Sequence, residues 1–119
     1  MAEKYRRPHH HERVQSVGQM IREQQAERDA LLIVRYFNER LKAKSTAGFW
    51  PTVGTALTAK HPWVAILCES CGGVTDLELR MKPRDPDASI RVVLRDAQCP
   101  RCNGLGRSRI VGLASHPSI

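Results

Sequence analysis

Aromatic residues are scarce in this chain, with two Trp, two Tyr and two Phe among 119 residues. With Trp50 and Trp63 expected in the core, that scarcity argues against a surface on which successive bases of a single strand stack. Apolar runs are short. None approaches the ~20 residues that a membrane helix requires, and residues 1–30 contain no apolar stretch of the signal-peptide kind. The expected setting is therefore cytoplasmic, with no membrane partner. Catalytic signatures are missing as well: no glycine-rich phosphate loop precedes a helix, and no Gly-x-Ser-x-Gly elbow occurs. His10-His11-Glu12 reads as His-x-Glu, which with a distant Cys-x-x-Cys evokes zinc deaminases. Those carry a proline before the first cysteine of the pair, whereas Pro100 follows Cys99. The expectation is a protein that is not an enzyme.

What the chain does have is four cysteines in two pairs, Cys68-Glu69-Ser70-Cys71 and Cys99-Pro100-Arg101-Cys102. A two-residue spacer lets the backbone fold into a knuckle that aims both sulfurs at one ion, and four thiolates suit the tetrahedral coordination of zinc. Gly72-Gly73 and Asn103-Gly104 follow the two pairs. Such residues tolerate the positive φ of a knuckle and leave backbone N–H groups free to donate to sulfur. One structural Zn2+ held by Cys68, Cys71, Cys99 and Cys102 is the expected cofactor. The separation of the pairs exceeds the usual zinc range. Iron remains an alternative, as in rubredoxins, although those are acidic and have an aromatic core. Disulfides would require export, and four free buried thiols would leave the paired spacing without a reason. A four-thiolate site leaves no open position for a catalytic water.

Basic charge is unevenly spread. The net charge is +7, of which residues 1–60 contribute +5 from 11 Lys and Arg against 6 Asp and Glu. Three regions follow. Residues 1–12, with Lys4, Arg6, Arg7, Pro8 and three consecutive histidines, read as a disordered basic tail. Residues 13–60 read as helical. Val14, Val17 and Ile21 form one apolar stripe, Gln24, Gln25 and Arg28 interrupt it, and a broader block runs from Leu31 to Leu41. That block must meet either the rest of the chain or another molecule, and a monomer is slightly favoured over a homodimer. Gly48 and Pro51 break the helix, and Thr52 is placed to cap a short one over 52–59.

Residues 61–115 read as a metal-bearing domain. Val64–Leu67 forms a strand that delivers Cys68, and Thr75–Arg80 alternates as its hairpin partner. Ile90–Leu94 is expected as a third strand delivering Cys99, and Arg107–Leu113 as a fourth. The fold class is α+β: an N-terminal amphipathic helix plus a small antiparallel sheet carrying two knuckles.

The run Trp50-Pro51-Thr52-Val53-Gly54-Thr55-Ala56-Leu57, followed by His61-Pro62-Trp63, Cys68-x-x-Cys71, Asp76-Leu77-x-Leu79-Arg80 and the second cysteine pair, resembles a group of short uncharacterised bacterial zinc-ribbon proteins. The resemblance covers residues 49–113. It implies a zinc-ribbon fold in a bacterial cytoplasm, and no activity.

Two functional classes remain. In one the ribbon is a nucleic-acid-binding or transcription-associated platform, with Arg91, Arg95, Arg101, Arg107 and Arg109 contacting phosphates. Arg101 and Arg107, beside the second knuckle, are the most specific of these. In the other the chain is a protein-interaction adaptor that docks through the apolar helix 31–41. His61 and His116 are read as ordinary surface or loop histidines.

Overall fold

The computed structural model describes the backbone of residues 2–43, 48–97, 99–102 and 107–118, and side chains within these segments from residue 16 onward. A long helix, α1 (Ala2–Lys42), leads into a short one, α2 (Val53–Thr58). Three strands follow, β1 (Trp63–Cys68), β2 (Val74–Glu78) and β3 (Ser108–Ala114), with 3-10 helices at Leu79–Met81 and Ile90–Arg95 between the second and third. The class is α+β, as the residue pattern implies.

Helix α1 takes in residues 2–12, whose composition suggests a solvated tail; the tail's side chains, including His9, His10 and His11, lie outside the described residues. At 1.5 Å per residue a helix of 41 residues is about 60 Å long, which accounts for most of the molecule's 70 × 28 × 25 Å extents. Its two halves differ. Val17, Met20 and Ile21 are exposed, whereas Ala30, Val34 and Phe37 are buried on one stripe at three- and four-residue steps. The expectation that the block from Leu31 to Leu41 packs on the rest of the chain holds for that stripe, which meets α2 and β3. Leu32, Ile33 and Tyr36 face outward.

Helix α2 starts where the sequence places it. The Thr52 hydroxyl accepts from the Thr55 N–H at 3.0 Å, satisfying one donor of the first turn. Val53, Ala56 and Ala59 are buried beneath it.

The sheet order is β2-β1-β3, all antiparallel. Along β1 the burial alternates, with Val64, Ile66 and Cys68 inward, because successive side chains of a strand point to opposite faces. Ile66 and Cys68 thus share a face, and the buried end of that strand delivers the first sulfur.

Ile90–Leu94, expected as a strand, is a 3-10 helix running from Ile90 to Arg95. Ser89 accepts from the Arg91 N–H at its start, and Ile90 and Val93 are buried. A spacing of three residues matches the 3-10 period, in which side chains three apart eclipse. Core packing of these two residues overrides the β preference of the Ile-x-Val-Val run. The observed order is strand, knuckle, strand, two 3-10 turns, knuckle, strand.

Candidate metal centre

The two knuckles arise from different parts of the chain and are brought together by the sheet. At the end of β1 the Gly72 N–H donates to the Cys68 carbonyl at 2.8 Å and the Cys68 N–H donates to the Gly73 carbonyl at 2.9 Å. Gly72 has φ of 73°, the left-handed backbone that glycine adopts without strain. The Glu69 N–H donates to the Arg107 carbonyl at 2.8 Å, and Cys68 pairs with Ser108 across β1 and β3. The chain that follows the second knuckle is thereby tied to the first. The second knuckle closes with the Cys102 N–H on the Cys99 carbonyl at 3.2 Å. Asn103-Gly104 lie outside the described residues.

All four sulfurs lie within 4.8 Å of one another. Cys68 and Cys102 Sγ atoms are 3.7 Å apart, and those of Cys71 and Cys99 are 3.6 Å apart. A disulfide would bring two sulfurs to about 2.0 Å. A zinc–sulfur bond of about 2.3 Å in a regular tetrahedron sets the sulfur–sulfur edge at about 3.8 Å. Both cross-knuckle distances fit that edge. The sequence-derived ligand set is therefore brought together, positioned to bind a metal ion.

The electrostatics point the same way. The Cys68 thiol is lowered from 9.0 to about 7, chiefly by the Cys71 backbone N–H, against the opposing effect of burial and with help from the Ser70 N–H. Burial works against ionisation of Cys99, yet the N–H groups of Arg101 and Cys102 bring its thiol below the ordinary value. Cys102 is pushed up to about 12, mainly by its contact with the Cys68 sulfur and then by Cys71. Sulfurs this close cannot all carry charge without a cation among them. A divalent ion removes the repulsion and takes up the fourth thiolate.

Beside Cys68 and Cys99, bordered by Ile66, Thr75, Ala97 and Ser108, is a cavity of ≈ 10 Å³. That is room for one water at most. Cys68 and Cys99 are buried, Cys102 is half-buried and Cys71 is exposed.

The five arginines separate into two groups. Arg101, Arg107 and Arg109 surround the knuckles. The Arg101 guanidinium lies against Gly73, where any Cβ would collide with it, so it bridges the second knuckle to the first. Arg109 is 3.6 Å from the Glu69 carboxylate, and Arg107 is exposed immediately before β3. Arg91 and Arg95 sit instead on the second 3-10 helix.

Trp50, expected in the core, is 40% exposed. One side of the indole packs on Phe37, with ring centroids 5.7 Å apart, and the Arg91 guanidinium lies 5.2 Å over the ring. Its position between Gly48 and Pro51, in a loop rather than on a periodic apolar face, is the sequence signal for an outward ring. Trp63 is half-buried. His61 is half-buried, with Nδ1 2.7 Å from the Ala59 carbonyl, and His116 is exposed.

Among the described residues no helix is long and apolar enough to cross a membrane. Comparison of the chain with protein-family models, with curated proteins and with solved structures finds no match.

Proposed function

We propose that this is a small, non-catalytic protein of zinc-ribbon type, in which one structural zinc ion held by Cys68, Cys71, Cys99 and Cys102 rigidifies a platform for nucleic acid. The observation that carries the metal part is the single cluster of four sulfurs built from two knuckles. Zinc is favoured over iron by the basic character of the chain and its few aromatics. The bound ion would neutralise the thiolates and fix the two knuckles; the chemistry it supplies is structural.

The nucleic-acid part is supported by cations left without carboxylates. Among the described residues Arg91, Arg95, Arg101 and Arg107 have no acidic group within ion-pair distance, whereas Lys60, Arg80, Lys82, Arg84 and Arg109 do. Unpaired guanidiniums on a chain of net charge +7 suit phosphate. Titration of the zinc-loaded protein with labelled DNA and RNA tests this. Micromolar, sequence-tolerant binding is expected, with an affinity that falls steeply as salt rises because each neutralised phosphate releases counterions. Absence of binding at low salt contradicts it.

One observation favours a second reading, a protein-interaction adaptor. Leu32, Ile33 and Tyr36 are exposed on the block of α1 whose other face is buried. Sedimentation at micromolar concentration distinguishes the two: a monomer is expected, whereas a dimer abolished by Ile33→Glu would favour the adaptor.

A further inference from the structure

We propose that the groove between Trp50 and the second 3-10 helix seats a single-stranded nucleic-acid segment, with one base against the indole and adjoining phosphates on Arg91 and Arg95. This rests on the nucleic-acid reading above and moves its centre away from the metal knuckles.

The groove is open, has a volume of ≈ 480 Å³ and is lined by Trp50, Ser89, Arg91, Val92, Leu94 and Arg95. Its walls are pre-formed. The Val53 N–H donates to the Ala88 carbonyl at 2.8 Å and the Ile90 N–H donates to the Pro51 carbonyl at 3.0 Å, so the segment carrying Trp50 and the one carrying Arg91 are laced together on either side of the Thr52–Ser89 bridge. Beneath, Phe37 is fully buried and supports the indole. A ring held this way loses little freedom when a ligand stacks on it.

Charge selects the occupant. None of the six lining residues is acidic, and two are arginines. Arg91 is held over the indole, which orients its guanidinium while leaving its N–H donors free of any carboxylate among the described residues. The Arg91 guanidinium lies over the exposed side of the indole, so an entering base takes its place on the ring and moves it towards the adjoining phosphate. With Arg95 and an apolar floor of Val92 and Leu94, the groove then offers stacking for a base and charge for the backbone, the pairing that single-stranded nucleic acid uses. An acidic peptide would meet the same charges. Arginine clusters do bind acidic motifs, but carboxylates alone leave the indole unused, whereas a nucleic-acid strand engages both the ring and the arginines. A base in a duplex cannot reach the indole face without leaving its stack.

The test uses the full zinc-loaded chain in a Trp63→Phe background, so that Trp50 is the only fluorophore of its kind, titrated with a mixed-sequence single strand, the matching duplex and polyglutamate. Single-strand binding should quench Trp50. Arg91→Ala with Arg95→Ala should weaken it roughly tenfold or more and reduce the salt slope by about 1.4, at about 0.7 for each phosphate no longer neutralised. Arg101→Ala with Arg107→Ala, whatever it does to affinity, should still give the full quenching of Trp50 at saturation. Arg95→Ala alone, at a solvent-exposed side chain, is the second variant should Arg91 prove structural, and half the change in slope is expected from it. Undiminished strand binding by both groove variants, with unquenched Trp50, overturns the groove while the nucleic-acid reading stands. Quenching by polyglutamate alone overturns the occupant. A wild-type chain that binds neither strand nor duplex at low salt overturns the nucleic-acid reading and the groove with it.

Discussion

Asn38 closes the outer edge of the sheet with one side chain. Its carboxamide donates to the Leu113 carbonyl at 2.9 Å and accepts from the Leu113 N–H at 2.9 Å, reproducing the paired bonds a further strand would make. An open edge invites pairing with other chains, and here α1 covers it. Asn38→Leu should leave two backbone groups of the buried Leu113 unpaired and cost about 1–3 kcal/mol in urea unfolding, with loss of exchange protection at the Leu113 amide as its specific mark. Asp96 holds the loop before the second knuckle. It sits 2.7 Å from Lys82 Nζ and 3.3 Å from Arg84 Nη1. The Lys82 hydrogen bond, then the charges of Lys82 and Arg84, lower its carboxyl below the usual 3.8. A depressed carboxyl stabilises the fold above its unfolded value, and that contribution disappears as pH falls through the folded one. Melting temperature should therefore decline below about pH 4, less steeply in Asp96→Asn than in the wild type; parallel acid limbs would rule the network out.

At the scale of elements, α1 divides into a docked half and a projecting half. Truncating the fully buried Phe37 to Ala should cost about 3–5 kcal/mol, whereas Ile33→Glu on the outward face should change stability by less than about 0.5 kcal/mol, both measured by urea unfolding. Amides from Ala30 to Leu41 should exchange far more slowly than those before Ala26, because tertiary packing supplies most helix stability. Which elements could be read from sequence follows from how strongly each is determined locally. The alternation of Val64, Ile66 and Cys68 has one period that fits, and Thr52 before a helix-permissive run leaves one cap geometry. Ile90–Leu94 is ambiguous on the same grounds: an apolar run of five admits a strand or a three-residue period, and only the core around Ile90 and Val93 decides. The ligand set was legible because the chemistry of a knuckle is confined to four consecutive residues. The groove was not, because Trp50 and Arg91 are 41 positions apart in sequence and are joined only by the backbone bonds between the segments that carry them.

On the scale of the whole molecule, the segment after residue 60 is too short to bury a large core, and its three-stranded sheet gathers around the cysteines. Metal binding in such sites contributes on the order of 10 kcal/mol, so an ion held by the four cysteines would stand or fall with the fold of this half. Of the net charge of +7, residues 1–60 carry +5 and the metal-bearing half the rest. The arginines proposed as phosphate contacts lie in that half but are distinct from the four cysteines, so they can be altered without removing a metal ligand. Elemental analysis of the purified chain, with Cys68→Ser and Cys102→Ser alongside, tests the central claim most directly. About one zinc per chain, lost in both variants together with the sheet after residue 60, is the predicted result. Iron in the place of zinc, or a full complement of free thiols in a chain that remains folded without metal, would contradict it.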